Sequence, residues 1–255
     1  FAFTWQTAPD RINTPMIRER GADGFRGELR PASWMEAFDA AAAGLRAACT
    51  ADRRSAGGVG VLPGGRLTIE DAYAYAKFAR VVLGTNDVDH RARVHSDEEL
   101  AFLGHTVAGS GLGVTFDALE SASAVLLVGL EPEEEAGVVF LRLRKAARAP
   151  GVRAFSIAPL ASRGLLRIGD GGGALPPAVP GTEPDVLDAV GPDGDLAHVH
   201  DALADGARGV ILVGERLAGV PGGFSAVLRL AERTGARVAW VPRRAGERGG
   251  VETGT

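Results

Sequence analysis

Two aspartates and two histidines that could bind a metal ion stand close together in the stretch "LGTNDVDHRARVHSDEE" (83–99), directly after a helix-like run. They are Asp87, Asp89, His90 and His95. Two histidines beside carboxylates are the ligand types of zinc and of non-haem iron. Their spacing is loose and identifies no third ligand, and polar loops of this kind are usually solvated or hydrogen-bonded. The pattern therefore favours a polar loop over a metal site.

A second group of carboxylates follows a predicted buried strand: Glu131, Glu133, Glu134 and Glu135. Such a group could serve acid–base chemistry or bind a cation. Pro132, however, suits the first turn of a helix, where the positive end of the helix dipole stabilises acidic side chains. We therefore interpret these carboxylates as the beginning of a helix.

Two glycine-rich segments could cradle a phosphate group: "GSGLG" (109–113) and "GDGGG" (169–173). A dinucleotide fingerprint must follow a strand and open a helix, and neither segment does so. Each segment is therefore only a weak indication of nucleotide binding.

The remaining polar residues form no complete catalytic constellation. Ser162 and Ser225 have no evident histidine and aspartate partners, so a hydrolase triad is unsupported. His198 and His200 are two residues apart on a predicted helix, so they face different sides of it. Three arginines suit an anionic ligand, a solvated surface or an interface: Arg243, Arg244 and Arg248. The sequence assigns no catalytic, cofactor-binding or metal-binding residue.

Composition excludes several classes of function. The chain has 255 residues, a formal net charge of −4 and one cysteine, Cys49. An acidic chain lacks the basic surface that nucleic acid requires. No apolar run approaches the roughly 18 residues of a membrane span, and one cysteine holds neither an internal disulfide nor an iron–sulfur cluster. We expect a reduced, cytoplasmic protein without membrane insertion.

Neither end of the sequence is typical of a natural terminus. The chain begins at Phe1 without an initiator methionine and ends in the glycine-rich run "AGERGGVETGT". We expect a fragment of a longer protein, with an extended segment over residues 1–32 and a truncated tail over residues 246–255.

Capping patterns predict the first helices. Three patterns are present: Ser33 with Glu36, Thr68 with Asp71, and Ser96 with Glu99. In each, the hydroxyl group accepts a hydrogen bond from a backbone N–H of the first turn. They predict helices over residues 34–48, 69–83 and 97–105, the second ending at Gly84.

One continuous apolar run and three mostly apolar runs predict four buried strands. These runs cover residues 124–128, 151–159, 208–214 and 236–242. Predicted helices over residues 132–148 and 222–235 connect them in pairs, which gives two βαβ units and a parallel sheet. Between the units we expect a loop over 164–181 with one short strand (165–169), and helices over 182–190 and 195–206. The predicted class is α/β.

The order of several segments resembles the molybdopterin oxidoreductase family. In that family a helix, a G-T-N-N-x-D turn and an A-R-V run lead to the protein ligand of the metal, and "LTIEDAYAYAKFARVVLGTNDVDHRARVHS" (67–96) is similar to this segment. The βαβ stretch 122–159 resembles the unit whose G-x-N-P loop meets the guanine end of the cofactor. "PGTE" (180–183), "ARGVILVGERLAG" (207–219) and the tail resemble later elements. The resemblance implies parallel-sheet, Rossmann-like lobes of the formate dehydrogenase and DMSO reductase type, with one lobe inserted in another.

Two departures from the family pattern bear on the cofactor. The metal ligand after A-R-V is cysteine, selenocysteine or sometimes serine in catalytic relatives, whereas this chain has His95. A neutral imidazole is a poor match for the soft or anionic ligand that molybdenum takes there. Glu131 and Pro132 stand where relatives carry N-P, and a carboxylate at that position repels a nucleotide phosphate. The resemblance therefore implies an eroded molybdopterin site and no cofactor in this chain.

The sequences of residues 67–93 and 130–146 resemble those of one branch of this family, found in the peripheral arm of actinobacterial NADH-quinone oxidoreductases (respiratory complex I). That resemblance implies a parent polypeptide with iron–sulfur clusters in a preceding domain, partners among the other proteins of the peripheral arm, and a position at the inner face of the plasma membrane. It also implies a first lobe over residues 33–94 plus 183–245 and an inserted lobe over 95–182. Two alternatives stay open: an active molybdopterin-dependent oxidoreductase with an unusual ligand at His95, and a guanine-nucleotide-binding module without metal chemistry.

Overall fold

The computed structural model describes residues 3–20, 26–50, 58–111, 113–148, 152–168, 175, 177–205 and 208–255. It divides into two compact units. The first comprises Phe1–Val61 and Lys77–Val88, and the second comprises Leu62–Ala76 and Asp89–Thr255.

The first unit contains an antiparallel strand pair and a long helix. A 3₁₀ turn, Thr4–Thr7, precedes strands β1 (Met16–Arg20) and β2 (Arg26–Pro31). Helix α1 then spans Trp34–Thr50. Its predicted capping box is confirmed, because the backbone N–H of Ser33 donates to Glu36 Oε2 at 2.8 Å and the Glu36 N–H donates to Ser33 Oγ at 3.2 Å.

The helix predicted over residues 69–83 is confirmed, with a change of helix type along its length. Helix α2 covers Ile69–Lys77, and a π-helical segment covers Phe78–Leu83. The segment ends at Gly84, whose left-handed backbone (φ 66°) is the predicted helix terminator. Before α2, the described residues form one isolated bridge, between Val61 and Val88 of the first unit.

A parallel sheet organises the second unit and confirms the predicted fold class. Its strands are β3 (Ala124–Val128), β4 (Arg153–Ile157), β5 (Gly209–Gly214) and β6 (Arg237–Val241), in the order β4-β3-β5-β6. All neighbours pair in parallel. The central strands β3 and β5 are buried throughout, as the apolar runs predicted.

Besides most of α2, nine helices lie in the described part of the second unit. They are α3 (Asp97–Phe102), α4 (Phe116–Glu120), α5 (Pro132–Glu135), α6 (Gly137–Ala146), α7 (Arg163–Ile168), α8 (Glu183–Ala189), α9 (Ala197–Ala204), α10 (Gly223–Thr234) and α11 (Glu247–Thr253). A π-helical segment, Leu103–Val107, extends α3, and a 3₁₀ segment, Glu215–Gly219, follows β5. No helix in these described ranges has the length and apolar character needed to cross a bilayer.

Each face of the sheet carries its own apolar core, because successive side chains of a strand alternate between faces. From β3, Leu126 and Val128 enter one core, together with Phe224 and Leu230 of α10. Val125 and Leu127 enter the other core, which includes residues of α4, α6 and α7.

Two sequence predictions about this unit were wrong in detail. The short strand expected over residues 165–169 is helix α7 as far as it is described, because Ser162 Oγ accepts a hydrogen bond from the Leu165 N–H at 3.1 Å and begins a helical turn. The single helix expected over residues 132–148 is two helices, α5 and α6. They are separated at Ala136, whose backbone (φ −149°, ψ 65°) is not helical.

Two of the four strands lie in each of the two lobes that were predicted from the sequence. β3 and β4 lie within residues 95–182, and β5 and β6 lie within residues 183–245, yet β3 pairs directly with β5. The division of the chain into a first and an inserted lobe stays a prediction.

Candidate functional site

The carboxyl ends of β5 and β6 meet the loop that precedes α3, and buried charges collect there. We call Arg91, Arg93, Glu99, Glu215 and Glu247 the buried charge cluster. The two arginines lie in the loop, Glu99 on α3, Glu215 directly after β5, and Glu247 at the start of α11. In open parallel sheets ligands bind at the carboxyl edge, so the cluster lies where a site is expected.

Arg93 is the central cation of the cluster. Its Nη1 and Nη2 atoms donate to the two oxygens of Glu99 at 3.0 and 2.7 Å, and its Nε lies 2.9 Å from Glu215 Oε2. Burial disfavours the charge on Arg93, but the bonds to Glu99 and the charge of Glu215 outweigh it and raise the arginine's pKa. Ser96 caps α3 as predicted, but the Glu99 carboxylate turns to Arg93 rather than completing a capping box.

Arg91 extends the cluster towards the loop. Its Nε and Nη2 atoms donate to Asp89 at 3.0 and 3.1 Å, and its Nη1 lies 4.0 Å from Glu99 Oε2. Partial burial raises the pKa of the Asp89 carboxyl, but hydrogen bonds from Arg91 outweigh that effect and leave the pKa lowered. Asp89 is therefore engaged in an ion pair.

Glu215 and Glu247 bring two more carboxyl groups into the cluster. Glu215 Oε1 accepts the backbone N–H of Arg243 at 2.7 Å, and Glu247 Oε1 accepts from Arg244 Nη1 at 2.8 Å. Burial, with the neighbouring Glu215, raises the pKa of Glu247 to about 7. Burial also acts to raise the pKa of Glu215, but hydrogen bonds from Glu247 and Arg243 and the charge of Arg93 lower it on balance.

His90 and His95 have different surroundings. His90 is buried, its Nδ1 lies 2.6 Å from the backbone oxygen of Thr255, and burial is the main cause of its lowered pKa. His95, at the metal-ligand position of the resemblance, is exposed, and its Nδ1 lies 3.2 Å from the Arg93 backbone oxygen. Asp87 is also exposed. Within the described ranges, no three or more His, Cys, Asp or Glu residues are grouped to hold a metal ion.

The crevice between the ends of β3 and β5 is the topological switch point of the sheet, where such folds usually admit a ligand. Here the backbone closes it. A Cβ atom on Gly214 would overlap the carbonyl oxygen of Gly129, and a Cβ atom on Gly129 would lie 2.9 Å from the Leu217 backbone nitrogen. The two loops therefore approach each other too closely to admit a ligand between them.

Glu135 closes the same edge with ion pairs. It accepts a hydrogen bond from the Glu131 N–H at 2.8 Å, which fits the prediction that these carboxylates begin a helix. Its other oxygen binds Arg216 at 2.9 Å and the guanidinium of Arg243. The pairing with Arg216 and Arg243 is a role that sequence reasoning missed, because the partners are more than 80 residues away along the chain.

A polar cleft of about 460 Å³ lies beyond β3 and β4, next to the position that resembles the guanine loop. Glu131, Glu133 and Glu134 line it opposite Arg163 and Arg167. Glu133 pairs with Arg167 at 3.1 Å, and Glu131 Oε1 is buried without a hydrogen bond from the described residues. Three carboxylates against two arginines disfavour a nucleotide phosphate in this cleft.

Ser110, Gly111 and Gly113 of the segment "GSGLG" line an apolar cavity of about 590 Å³ along the edge strand β6. The Gly109 N–H donates to Glu252 at 2.8 Å, and Arg248 donates to the Gly111 carbonyl at 2.5 Å. Because Glu252 already accepts the Gly109 N–H, this donor is not open to a phosphate. The other glycine-rich segment, 169–173, lies outside the described residues.

The remaining candidate residues make local contacts. Ser162 caps α7, Ser225 donates to Glu98 at 2.7 Å, and His198 contacts the Asp195 backbone oxygen at 3.1 Å. His200 lies 3.2 Å from the Asp201 carboxylate. In the part of the chain that the structure describes, these contacts assemble no nucleophile with a general base.

Comparison with known proteins confirms the resemblance. The family model described as molybdopterin oxidoreductase matches residues 11–168. The chain is 55% identical, over its full length, to 29% of the G subunit of the NADH-quinone oxidoreductase of Mycobacterium bovis, and 52% identical to 30% of the corresponding G subunit of Streptomyces coelicolor. Over 54% of the chain it is 31% identical to 18% of the alpha subunit of F420-dependent formate dehydrogenase 1 of Methanococcus maripaludis. The chain thus spans about three-tenths of the length of the two NADH-quinone oxidoreductase relatives.

These matches agree with the parallel α/β sheet and with the order of the sequence motifs. More than half of the chain lies inside the matched family model. The chain belongs to the molybdopterin oxidoreductase family.

Proposed function

We propose that this chain is a scaffold region of the G subunit of an NADH-quinone oxidoreductase, holding neither molybdopterin nor an iron–sulfur cluster. Its identity of 55% with the M. bovis protein supports the assignment to that complex. In this role it supports electron transfer from NADH to quinone by holding its place among the proteins of the peripheral arm, at the inner face of the plasma membrane. The iron–sulfur clusters belong to another region of the parent polypeptide.

The observation that carries this proposal is the buried charge cluster at the ligand turn. A molybdenum ligand must be a soft or anionic side chain that points into the site. His95 is exposed beside the Arg93 carbonyl, and the anionic groups nearby, Glu99 and Glu215, are already bound to Arg93. The residues present therefore do not fit the metal cofactor.

The carboxyl edge supports the same proposal. The contact between Gly129 and Gly214 fills the switch point, and Glu135 pairs with Arg216 and Arg243 across it. In this chain the space in which the sheet would admit a cofactor contains its own backbone and side chains.

The first unit supports a structural role in an assembly. None of the described residues of helix α1 is buried, and Trp34, Met35 and Phe38 are 66%, 69% and 59% exposed. Large apolar side chains grouped in this way are typical of a surface that another protein covers. We assign this face to the contact with the rest of the parent polypeptide or with its neighbours.

Metal and pterin analysis of the purified chain tests the proposal. We expect substoichiometric molybdenum and iron, no visible absorption band and no pterin fluorescence after acid oxidation. Stoichiometric molybdenum with pterin would instead support an active oxidoreductase that uses His95. Calorimetric titration with GTP and GDP should show no heat of binding, whereas saturable binding would support a guanine-nucleotide module.

A further inference from the structure

Two buried carboxyl groups, Glu215 and Glu247, meet inside the buried charge cluster. Glu247 is fully buried and Glu215 is 4% exposed. Each carboxyl group shifts the pKa of the other, and the pair lies where the end of β5 meets the start of α11. Two ionised carboxylates are both acceptors, so a hydrogen bond between them requires a proton on one of them.

The hydrogen bonds around the pair show where a donor is missing. Glu247 Oε1 accepts from Arg244, but Glu247 Oε2 is buried and accepts from no N–H or O–H of the described residues. Glu215 Oε1 accepts from the Arg243 backbone, and its Oε2 lies 2.9 Å from Arg93 Nε without hydrogen-bond alignment. A proton on the Glu247 carboxyl supplies the donor that the pair lacks.

The charge balance leads to the same conclusion. Three carboxyl side chains, Glu99, Glu215 and Glu247, are at most 1% exposed, against two arginine side chains, Arg91 and Arg93, that are 10–12% exposed. A buried charge that lacks an equally buried partner is costly, so neutralising one carboxyl balances the charges of the buried side chains.

Two further arginines contact the pair from more exposed positions: Arg244 pairs with Glu247 at 2.8 Å, and Arg243 Nε lies 4.0 Å from Glu215 Oε2. Arg243 and Arg244 are 41% and 30% exposed. On α11 itself, Arg248 pairs with Glu252 at 3.2 Å, and the ring of His90 packs against Gly250.

We propose that Glu215 and Glu247 form a proton-binding site, which holds one proton in the folded protein and thereby fastens α11 to the end of β5. Release of the proton leaves three negative carboxylates in the buried charge cluster and weakens this attachment. Because burial and Glu215 raise the pKa of Glu247 to about 7, the proton is released near neutral pH.

The sign of the pH effect follows from the raised pKa. A carboxyl whose pKa rises from 4.5 to about 7 on folding contributes full stability below pH 4.5 and loses it as the pH rises through about 7. His90 has the opposite effect on stability. Because its pKa is lowered in the folded protein, its contribution to stability is lost as the pH falls. The pH dependence of wild-type stability therefore combines both effects. Comparing the stability of the wild type with that of a variant at each pH isolates the contribution of Glu247.

Thermal unfolding of the wild type and of Glu247→Gln, from pH about 5.5 to about 8.5, tests the site. Glutamine supplies an uncharged donor and mimics the protonated acid. We expect the wild type to lose stability relative to Glu247→Gln by several degrees as the pH rises. A difference in Tm that stays constant across this range would overturn the proposal.

Glu98→Gln is the matched control. Burial raises the pKa of Glu98, but hydrogen bonds from Ser225 and Gly222 outweigh it and lower the pKa. Its stabilising effect is therefore present above about pH 4.5 and is lost only in acid. The difference in Tm between the wild type and Glu98→Gln should stay flat over the range in which the Glu247→Gln difference changes.

Infrared spectroscopy of the wild-type protein tests the same proposal and does not require that the Glu247→Gln variant folds. We expect the absorption band of a protonated carboxyl group at pH about 6, where exposed carboxyls are ionised, and its loss by pH about 8.5. A folded wild-type protein without this band at pH about 6 would contradict a shared proton.

Discussion

At the scale of single residues, Arg93 holds the buried charge cluster together. It contacts two nearly inaccessible carboxylates, Glu99 and Glu215, while its own side chain is 12% exposed. Arg93→Met keeps the apolar stem and removes the charge. We expect a loss of about 3–5 kcal/mol in the free energy of unfolding, because both carboxylates are left buried without their cation. Urea denaturation at neutral pH measures this loss.

Arg208→Met is the matched control for that variant. Arg208 pairs with Asp205 at 2.9 Å, but both side chains are more than half exposed. Exposed pairs contribute at most about 1 kcal/mol, so this substitution should change stability little. Equal effects of the two substitutions would mean that the Arg93 contacts carry no more energy than a surface pair.

Local residue patterns were predictable where the partners are near in sequence. The Ser33 capping box is confirmed because both of its hydrogen bonds form within four residues. Ser96 and Glu99 show the same pattern, yet the Glu99 carboxylate binds Arg93 instead. The spacing of a capping box does not show that a stronger, buried cation competes for its carboxylate.

At the scale of elements, the close approach of the loops after β3 and β5 closes the switch point. Gly214→Ala tests this closure, since its methyl group meets the backbone oxygen of Gly129 and the loops have to separate. We expect a destabilisation of about 1–3 kcal/mol, as for other overpacked positions. Thermal unfolding of the variant measures it.

Gly219→Ala, five residues further on, is the control for Gly214→Ala, because a Cβ atom at Gly219 meets nothing within 4 Å in the described residues. Its Tm should stay close to that of the wild type. If Gly214→Ala also unfolds at the wild-type temperature, the loops can separate without cost and the crevice is not closed as described.

The sheet could be predicted from the sequence because each central strand is a continuous apolar run. Helix α7 was mistaken for a strand because "LLRIG" is a short apolar run, which does not distinguish the two. What decided the structure was the Ser162 cap and the burial of Leu165 and Ile168 against the sheet.

At the scale of the whole molecule, the candidate site depends on contacts that no local pattern encodes. The buried charge cluster joins the loop before α3 to residues more than 120 positions later, at Glu215 and Glu247. The departure at His95 was visible in the sequence. The ion pairs and backbone contacts around the carboxyl edge were not.

A cysteine at position 95 tests whether these long-range contacts, and not only the residue at the ligand position, keep molybdenum out. If only the ligand residue had been lost, His95→Cys would supply the thiolate that molybdenum prefers. Since Glu99 and Glu215 are bound to Arg93 and the switch point is closed, we expect the variant to acquire no molybdenum when it is expressed in a host that makes molybdopterin. Elemental analysis of His95→Cys, beside His95→Ser as the control for the exposed position, measures this. Stoichiometric molybdenum in the cysteine variant would show that the fold still accepts the cofactor and that its loss rests on one residue.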